Sequence, residues 1–225
     1  MEKIDPNVQA AMSHWSGRLV TNGVPLSIFQ DISENVTEWG KWCRTWSEKA
    51  EIFESMGYQA LKKGYLFSAS QHFVTASVCY HFGKFLFVQD PIQMRDAHMK
   101  AVENYKLALP HLKPAGERVT IPYGDHVFYG NLRKPYGIEN PPIVIMALGL
   151  DSAKEEMGTN EEVFLQRGIA TLAFDGPGQG EAEYDLPICP EYEMPIKSVI
   201  DWLHSRTDID LNRIGIWGVS LGGYY

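Results

Sequence analysis

The sequence is poor in cysteine, in basic residues and in long apolar runs, and each shortage argues against a class of protein. Its 225 residues contain three cysteines, Cys43, Cys79 and Cys189, which are too few and too widely spaced for a disulfide framework or a zinc site. The 20 Lys and Arg residues are scattered along a chain of net charge -8, so the sequence disfavours binding to a phosphate backbone. We therefore expect no metal, no nucleic-acid partner and a reducing compartment, the cytoplasm.

Segments for export or membrane insertion are also absent from the pattern. Glu2, Lys3 and Asp5 stand where a signal peptide needs a basic start and an apolar run. Residues 65–83 lack Asp, Glu, Lys and Arg, but they carry serines, a threonine, a glutamine and two histidines, which are costly to place in hydrocarbon. This stretch predicts a buried helix and no association with a membrane.

Residues 1–113 have the apolar pattern of helices. Between residues 36 and 63, apolar and small side chains recur at steps of three and four, which places them on one stripe of a helix. The stripe comprises Trp39, Trp42, Trp46, Ala50, Phe53, Gly57 and Ala60. Residues 65–83 form a second helix, and Asp90 and Pro91 mark the N-cap and first position of a third. We expect an all-helical N-terminal domain, residues 1–113, which is a cap or a dimerisation domain.

Residues 114–225 have the pattern of an α/β sheet. Two short extended runs flank Tyr123-Gly124-Asp125-His126, a turn typical of a β-hairpin. Apolar runs at residues 141–149 and 169–175 predict strands that are buried on both faces of a parallel sheet, and residues 213–218 predict a further strand. Helical patterns separate these runs, so an α/β fold is expected.

One of the connecting helices has a start signal in the sequence. Ser152-Ala153-Lys154-Glu155 matches a capping box, in which the serine side chain accepts from a free helix N–H and the glutamate reaches back. The pattern predicts a helix from this point to Arg167, ended by Gly168.

A serine lies at the end of the last predicted strand, in Gly218-Val219-Ser220-Leu221-Gly222. A strand, a sharp turn with small flanking residues and a following helix are typical of a nucleophile elbow, which leaves the serine exposed. We assign Ser220 as the catalytic nucleophile. The alternative is a glycine-rich turn that holds an unreactive serine.

Two backbone N–H groups are the candidates for an oxyanion hole. The N–H of Leu221 follows the nucleophile directly, and the second donor is expected in the loop after the first buried strand, where we choose the N–H of Leu150. The alternative at Leu150 is a plain connection between strand and helix.

The glycine-rich stretch DGPGQGE, residues 175–181, invites comparison with phosphate-binding loops. A dinucleotide motif would need its third glycine where Glu181 stands, and no Lys-Ser or Lys-Thr pair follows. Pro177 also removes a backbone donor. We interpret the stretch as a tight non-catalytic loop beside the active site and expect no cofactor.

The order of these motifs resembles the α/β-hydrolase superfamily. The resemblance of the sheet region rests on the hairpin and on the segments PIVIMALGLDSAKEE, LAFDGPGQGE and IGIWGVSLGG. The segments WGKWCRTWS and YHFGKFLFVQDP resemble the helical region of one branch of the superfamily. That branch contains 2,6-dihydroxypseudooxynicotine hydrolase and the fungal hydrolases that shorten pigment polyketides. The resemblance implies an α/β-hydrolase sheet, incomplete at its C-terminus, after a helical domain. It also implies a metal-free Ser-Asp-His triad that cleaves a carbon-carbon bond beside a ketone.

In this fold the acid and base follow the serine along the chain, whereas only Leu221 to Tyr225 follow Ser220. We expect the triad's aspartate and histidine to lie beyond Tyr225 and the 225-residue chain to be an inactive N-terminal fragment. His126 and His204 are not expected to replace the base, since neither predicted element brings an imidazole to Ser220.

Other functions remain open at this stage. An esterase, a thioesterase or a peptidase of the prolyl-oligopeptidase type would use the same triad, and a catalytically incomplete interaction protein is the alternative from another class. The aromatic residues of the helical half suggest a homodimer interface or a cap over an aromatic or polyketide-like small molecule.

Overall fold

The computed structural model describes residues 4–225 and divides the chain into two compact units. The first unit ends at His111, and the second comprises Leu112–Tyr225.

The first unit is helical throughout its regular structure. Its helices are α1 (Pro6–Thr21), α2 (Leu26–Asn35), α3 (Trp42–Lys62), α4 (Leu66–Lys84) and α5 (Pro91–Ala108). Asp90 caps α5 as expected, because its side chain accepts from the N–H groups of Ile92 and Gln93 at 3.1 and 3.0 Å. Most of the predicted stripe is buried on α3, including Trp42 and Trp46, whereas Trp39 lies in the 3-10 turn that precedes the helix.

Helix α4 is the centre of this unit. Residues from Ala69 to Lys84 are mostly buried, as the uncharged stretch predicted. The Phe73 ring of α4 packs closely against Gly57 of α3, because a methyl group added at Gly57 would lie 2.6 Å from two ring atoms. The indole N–H of Trp42 donates to the carbonyl of Phe82 at 2.9 Å, which joins the two helices. Within residues 4–225, helices of the length and apolarity needed to cross a bilayer are not found.

The second unit is an α/β sheet. Its strands are β1 (Gly116–Tyr123), β2 (His126–Arg133), β3 (Ile143–Ala147), β4 (Ala170–Phe174) and β5 (Ile214–Gly218). Its helices are α6 (Gly158–Leu165), α7 (Glu193–Leu203) and the short α8 (Leu221–Tyr224). Apart from the start of α6, these elements lie within a few residues of the expected ones, and the predicted α/β-hydrolase sheet preceded by helices is confirmed.

The strand order is β1-β2-β4-β3-β5. β1 and β2 form the expected hairpin, with Tyr123 opposite His126 and Gly124 at a φ of +56°. β4 pairs antiparallel with β2 and parallel with β3, and β3 pairs parallel with β5. The parallel strands therefore deliver their C-terminal ends to one edge of the sheet, where ligands bind in open α/β folds.

The capping box predicted at Ser152 is wrong. Residues Lys154–Glu156 form a short 3-10 turn without a side-chain cap, and α6 begins four residues later at Gly158. Lys154 and Glu155 are buried in ion pairs instead, so their side chains are not available to a helix N-terminus.

The three cysteines are free thiols in different surroundings. Cys43 and Cys79 are buried in the helical unit, and Cys189 in the second unit is half-buried. Burial raises the pKa of Cys43 to about 11 and the pKa of Cys79 to about 12.

Candidate active site

Ser220 lies in a strained turn between β5 and α8. Its φ of 54° and ψ of -122° are unusual for a residue with a side chain. The turn is tight, because a methyl group at Gly218 would lie 2.3 Å from the carbonyl oxygen of Gly222. A methyl group at Gly222 would lie 2.1 Å from the carbonyl oxygen of Ala147. Glycine is therefore required on both sides of the serine, and the Ser220 side chain is exposed.

The sheet register fixes this turn beside the end of β3. Ala147 is paired with Gly218, and the N–H of Val219 donates to the carbonyl of Ala147 at 3.2 Å. The loop that leaves β3 therefore begins next to the serine. A methyl group at Gly149 would lie 3.3 Å from the Cβ atom of Ser220.

The two residues assigned to the oxyanion hole lie on either side of this junction. Leu150 directly follows Gly149, and its side chain is 53% exposed. Leu221 is the first residue of α8, a position whose N–H has no acceptor within the helix. The structure thus brings Ser220, Leu150 and Leu221 to the same edge of the sheet.

Gln179, which the sequence interpretation treated only as part of a loop, is fully buried behind the β3 loop. Its Nε2 donates to the carbonyl oxygens of Leu148 at 2.7 Å and Gly149 at 3.1 Å. Its Oε1 accepts from the Tyr192 hydroxyl at 2.6 Å and is 3.4 Å from the Gly176 nitrogen. We refer to Gln179, Tyr192 and the carbonyls of Leu148 and Gly149 as the Gln179 network. In the sequence, this network is indicated only by the position of Gln179, a long amide side chain in a glycine-rich loop.

A second buried group surrounds Lys154, which we call the Lys154 network. Its members are Lys154, Asp175, Glu155, Glu181 and Arg118. The Lys154 Nζ lies 2.6 Å from Asp175, 2.6 Å from Glu181 and 2.7 Å from Glu155. Asp175 also accepts from the backbone N–H groups of Lys154 and Glu181.

The ion pairs of this network change the acidity of its members. Burial alone would lower the pKa of Lys154, but the three carboxylates raise it above its usual value. Burial raises the pKa of Glu155 to about 7 against the opposing effect of Lys154. The ammonium group of Lys154 thus pairs with Glu155 and Asp175, and it links residues 154–156 to the loop of residues 175–181.

The upstream histidines of this unit lie on other elements. His126 begins β2 in the hairpin, and His204 is the exposed C-cap of α7, with its Nδ1 2.9 Å from the carbonyl oxygen of Ile200. Neither residue is part of the turn that carries Ser220.

Comparison with known proteins places this geometry in a family. The chain is 34% identical over 217 residues to the 2,6-dihydropseudooxynicotine hydrolase of Paenarthrobacter nicotinovorans, which covers 95% of this chain and 57% of that protein. It is 30% identical over 203 residues to hydrolyase poxO of Penicillium oxalicum, which covers 82% of this chain and 47% of that protein. The chain spans about half the length of the curated relatives it matches.

A solved structure agrees with these sequence matches. The crystal structure of 2,6-dihydroxy-pseudo-oxynicotine hydrolase superposes with a TM-score of 0.85 at 32% identity, over 93% of this chain and 59% of that one. The family model described as FrsA-like esterase matches residues 33–225. The chain therefore belongs to the FrsA-like esterase family and has the α/β-hydrolase fold.

Proposed function

We propose that the protein is a serine hydrolase in which Ser220 is the nucleophile. The observation that carries the proposal is the strained turn of Ser220, held between two glycines that tolerate no side chain. Such strain in an exposed serine persists only where the surrounding structure enforces it, and it is typical of nucleophile elbows.

The mechanism follows from the position of the elbow. The Ser220 Oγ attacks a carbonyl carbon of the substrate, and the N–H groups of Leu221 and Leu150 donate to the oxygen that becomes negative. A general base accepts the Oγ proton during the attack and delivers it to the leaving group. Water, activated by the same base, then cleaves the acyl-serine bond, which releases the acid and restores the Ser220 hydroxyl. By family resemblance this base is a histidine oriented by an aspartate, and neither is assigned to a residue of this chain.

We further propose a small aromatic or polyketide-like ketone as substrate, cleaved at a carbon-carbon bond. The support comes from the relatives, one named for a pseudooxynicotine substrate and others named as fungal hydrolases. A carbanion departs only if the substrate delocalises its charge and an acid protonates it, so this cleavage needs a tightly positioned substrate. The helical unit, rich in aromatic residues, is proposed as the cap or as a homodimer interface.

Ester hydrolysis is the second candidate, and the family description as an esterase favours it. An ester releases an alkoxide that needs less stabilisation than a carbanion, and the same nucleophile and oxyanion donors serve both reactions. The two candidates differ in substrate preference rather than in the residues described.

The experiment compares Ser220→Ala with Ser205→Ala in the gene product that contains these 225 residues. Ser205 is exposed after α7, where its hydroxyl donates to the carbonyl of Trp202. We expect Ser220→Ala to lower kcat by about three powers of ten or more with little change in substrate affinity, and Ser205→Ala to leave kcat unchanged. Retained activity in Ser220→Ala would end the nucleophile assignment.

A substrate panel separates the two candidates. The values of kcat/KM for aryl diketones and for p-nitrophenyl esters are measured with the same preparation. We expect turnover of at least one diketone, with a kcat/KM above that of short esters. If short esters are hydrolysed and no diketone is turned over, the esterase candidate replaces carbon-carbon cleavage.

A further inference from the structure

The most informative unused feature is the Gln179 network, because it holds the backbone immediately before Leu150. Gln179 and Tyr192 are both essentially inaccessible to solvent. The Gln179 amide faces two acceptors with its nitrogen and two donors with its oxygen, so all its polar positions are matched to neighbours. Such full satisfaction of a buried amide fixes its own orientation and that of its partners.

The carbonyl of Gly149 and the N–H of Leu150 belong to one peptide group. This group is planar and trans, so the N–H points opposite to the carbonyl. When the Gln179 Nε2 holds the Gly149 carbonyl at 3.1 Å, it also sets the direction of the Leu150 N–H. The same carbonyl also accepts from the backbone N–H of Ser152 at 3.3 Å, so Gln179 supplies the shorter of its two hydrogen bonds. Packing adds little, since Leu150 is exposed and Gly149 has no side chain.

The Gln179 network also lies close to α8, the helix that follows Ser220. The carbonyl of Leu148, which accepts from Gln179 at 2.7 Å, would lie 2.5 Å from a methyl group added at Gly222, within α8. The ring of Tyr192 stacks on Tyr225 with centroids 3.9 Å apart. Burial raises the pKa of the Tyr192 hydroxyl, so this group remains a donor to Gln179.

We infer that Gln179 is a positioning residue, which orients the Leu150 N–H toward the oxyanion that forms when Ser220 attacks, with Tyr192 fixing the rotamer of its amide. The inference rests on the proposed function, since it gives that N–H its role. Gln179 touches no substrate, and it acts through the peptide group between Gly149 and Leu150.

The test uses Gln179→Met, which preserves side-chain length and removes every hydrogen bond. An oxyanion donor contributes about 100- to 1,000-fold to kcat, so a misdirected one is expected to lower kcat by about 10- to 100-fold with KM nearly unchanged. The affinity for a trifluoromethyl ketone, whose adduct with Ser220 places a negative oxygen in the hole, is expected to fall by the same factor. A purely structural role would not weaken this inhibitor in step with kcat.

Two further variants keep the test decisive if Gln179→Met folds poorly. Tyr192→Phe keeps the stacked ring and removes one hydrogen bond to the amide, so we expect a loss in kcat of about two- to tenfold. Gln166→Met changes an exposed glutamine in the same unit and is expected to change neither kcat nor inhibitor affinity.

Hydrogen exchange of the peptide that spans residues 148–152 measures the loop without reference to turnover. We expect faster exchange there in Gln179→Met and unchanged exchange in β2. Wild-type exchange in this peptide, or wild-type kcat and inhibitor affinity in Gln179→Met while Ser220→Ala is inactive, would overturn the positioning role alone. Full activity in Ser220→Ala would instead overturn the proposed function, and with it the catalytic meaning of Gln179.

Discussion

The helical unit and the α/β unit satisfy their buried polar groups in different ways. In the helical unit, the buried hydroxyls of Ser70 and Ser77 donate to main-chain carbonyls, at 2.8 Å to Phe67 and 2.7 Å to Ala101. In the α/β unit, buried ion pairs join strands and loops that are far apart in the sequence, as between Lys154 and Asp175. The buried hydroxyls of the helical unit keep their partners as long as the helices stay packed. Each buried charge of the α/β unit instead needs an opposite charge beside it.

This difference predicts different points of weakness. A hydroxyl that loses its partner costs about 1–3 kcal/mol, because the group is neutral. A buried charge that loses its partner costs about 3–5 kcal/mol, because water no longer solvates it. We therefore expect the loss of a buried charge to damage the α/β unit more than the loss of a buried hydroxyl damages the helical unit.

The largest effect is expected for Lys154→Met. The substitution leaves the carboxylates of Asp175 and Glu155, both essentially buried, without their ammonium partner. We expect the free energy of unfolding of the second unit to fall by about 3–5 kcal/mol. Urea denaturation, with hydrogen exchange to identify which unit opens, measures this change.

The matched control is Lys197→Met on α7. Lys197 and Asp201 form an ion pair whose side chains are 64% and 59% exposed. Its loss is expected to cost about 0.5 kcal/mol or less. Equal effects of the two substitutions would show that the Lys154 network does not stabilise the second unit.

A steric change in the helical unit is expected to have a smaller effect. In Gly57→Ala, the new methyl group would lie 2.6 Å from the Phe73 ring, so α3 or α4 must shift. We expect a loss of about 1–3 kcal/mol from overpacking, reduced by up to about 1 kcal/mol through the higher helix propensity of alanine. Thermal unfolding followed by circular dichroism measures the balance.

Gly17→Ala in α1 isolates the propensity contribution. Apart from the adjacent backbone of α1 itself, no atom of the described residues lies within 4 Å of the methyl group that this substitution adds. We expect a gain of about 0.5–1 kcal/mol. If Gly57→Ala also stabilises the protein, the close packing of α3 on α4 is not a constraint.

Apart from the control substitutions, the smallest effect is expected at the surface ion pairs of Asp208. Hydrogen bonds from Arg206, and then from Lys134, hold the pKa of this carboxyl well below its usual value. A lowered pKa in the folded state contributes stability above the unfolded pKa of about 3.8, and this contribution is lost as the pH falls through the folded value. Because Asp208 is partly exposed, Asp208→Asn is expected to cost about 1 kcal/mol or less at pH 6.

The pH dependence provides the check for Asp208. The difference in urea midpoint between wild type and Asp208→Asn is expected to be constant from pH 7 to about 5, and to shrink below about pH 4. A difference that grows on acidification would contradict the assigned direction.

Local patterns in the sequence were sufficient for most of the fold. The N-cap at Asp90, the burial of helix α4 and the hairpin at Gly124 each follow from residues in one short stretch of the sequence. The elbow at Ser220 was also visible, because strand, glycines and serine are contiguous. Its assignment as a nucleophile, with Leu150 and Leu221 as donors, stays a prediction.

Long-range contacts account for what the sequence could not predict. The Ser152 pattern favours a capped helix, but Lys154 pairs with Asp175, which lies 21 residues beyond it, and Glu155 pairs with Lys154. Gln179 reaches carbonyls 30 and 31 residues away. Hydrophobic periodicity carries no information about such partners. It predicts which face of a helix or strand is apolar, but it does not predict which buried charges or amides contact each other.

The distribution of the thiols makes this chain suitable for following its two units by chemical labelling. The thiolate is the form of cysteine that attacks a thiol reagent. Cys43 and Cys79, with pKa values of about 11 and 12, carry almost no thiolate at neutral pH in the folded helical unit. Cys189, half-buried in the other unit, is expected to react first. At reagent concentrations where labelling is faster than reclosing, the delay before the second and third thiols react gives the opening rate of the helices around α3 and α4, without an introduced cysteine.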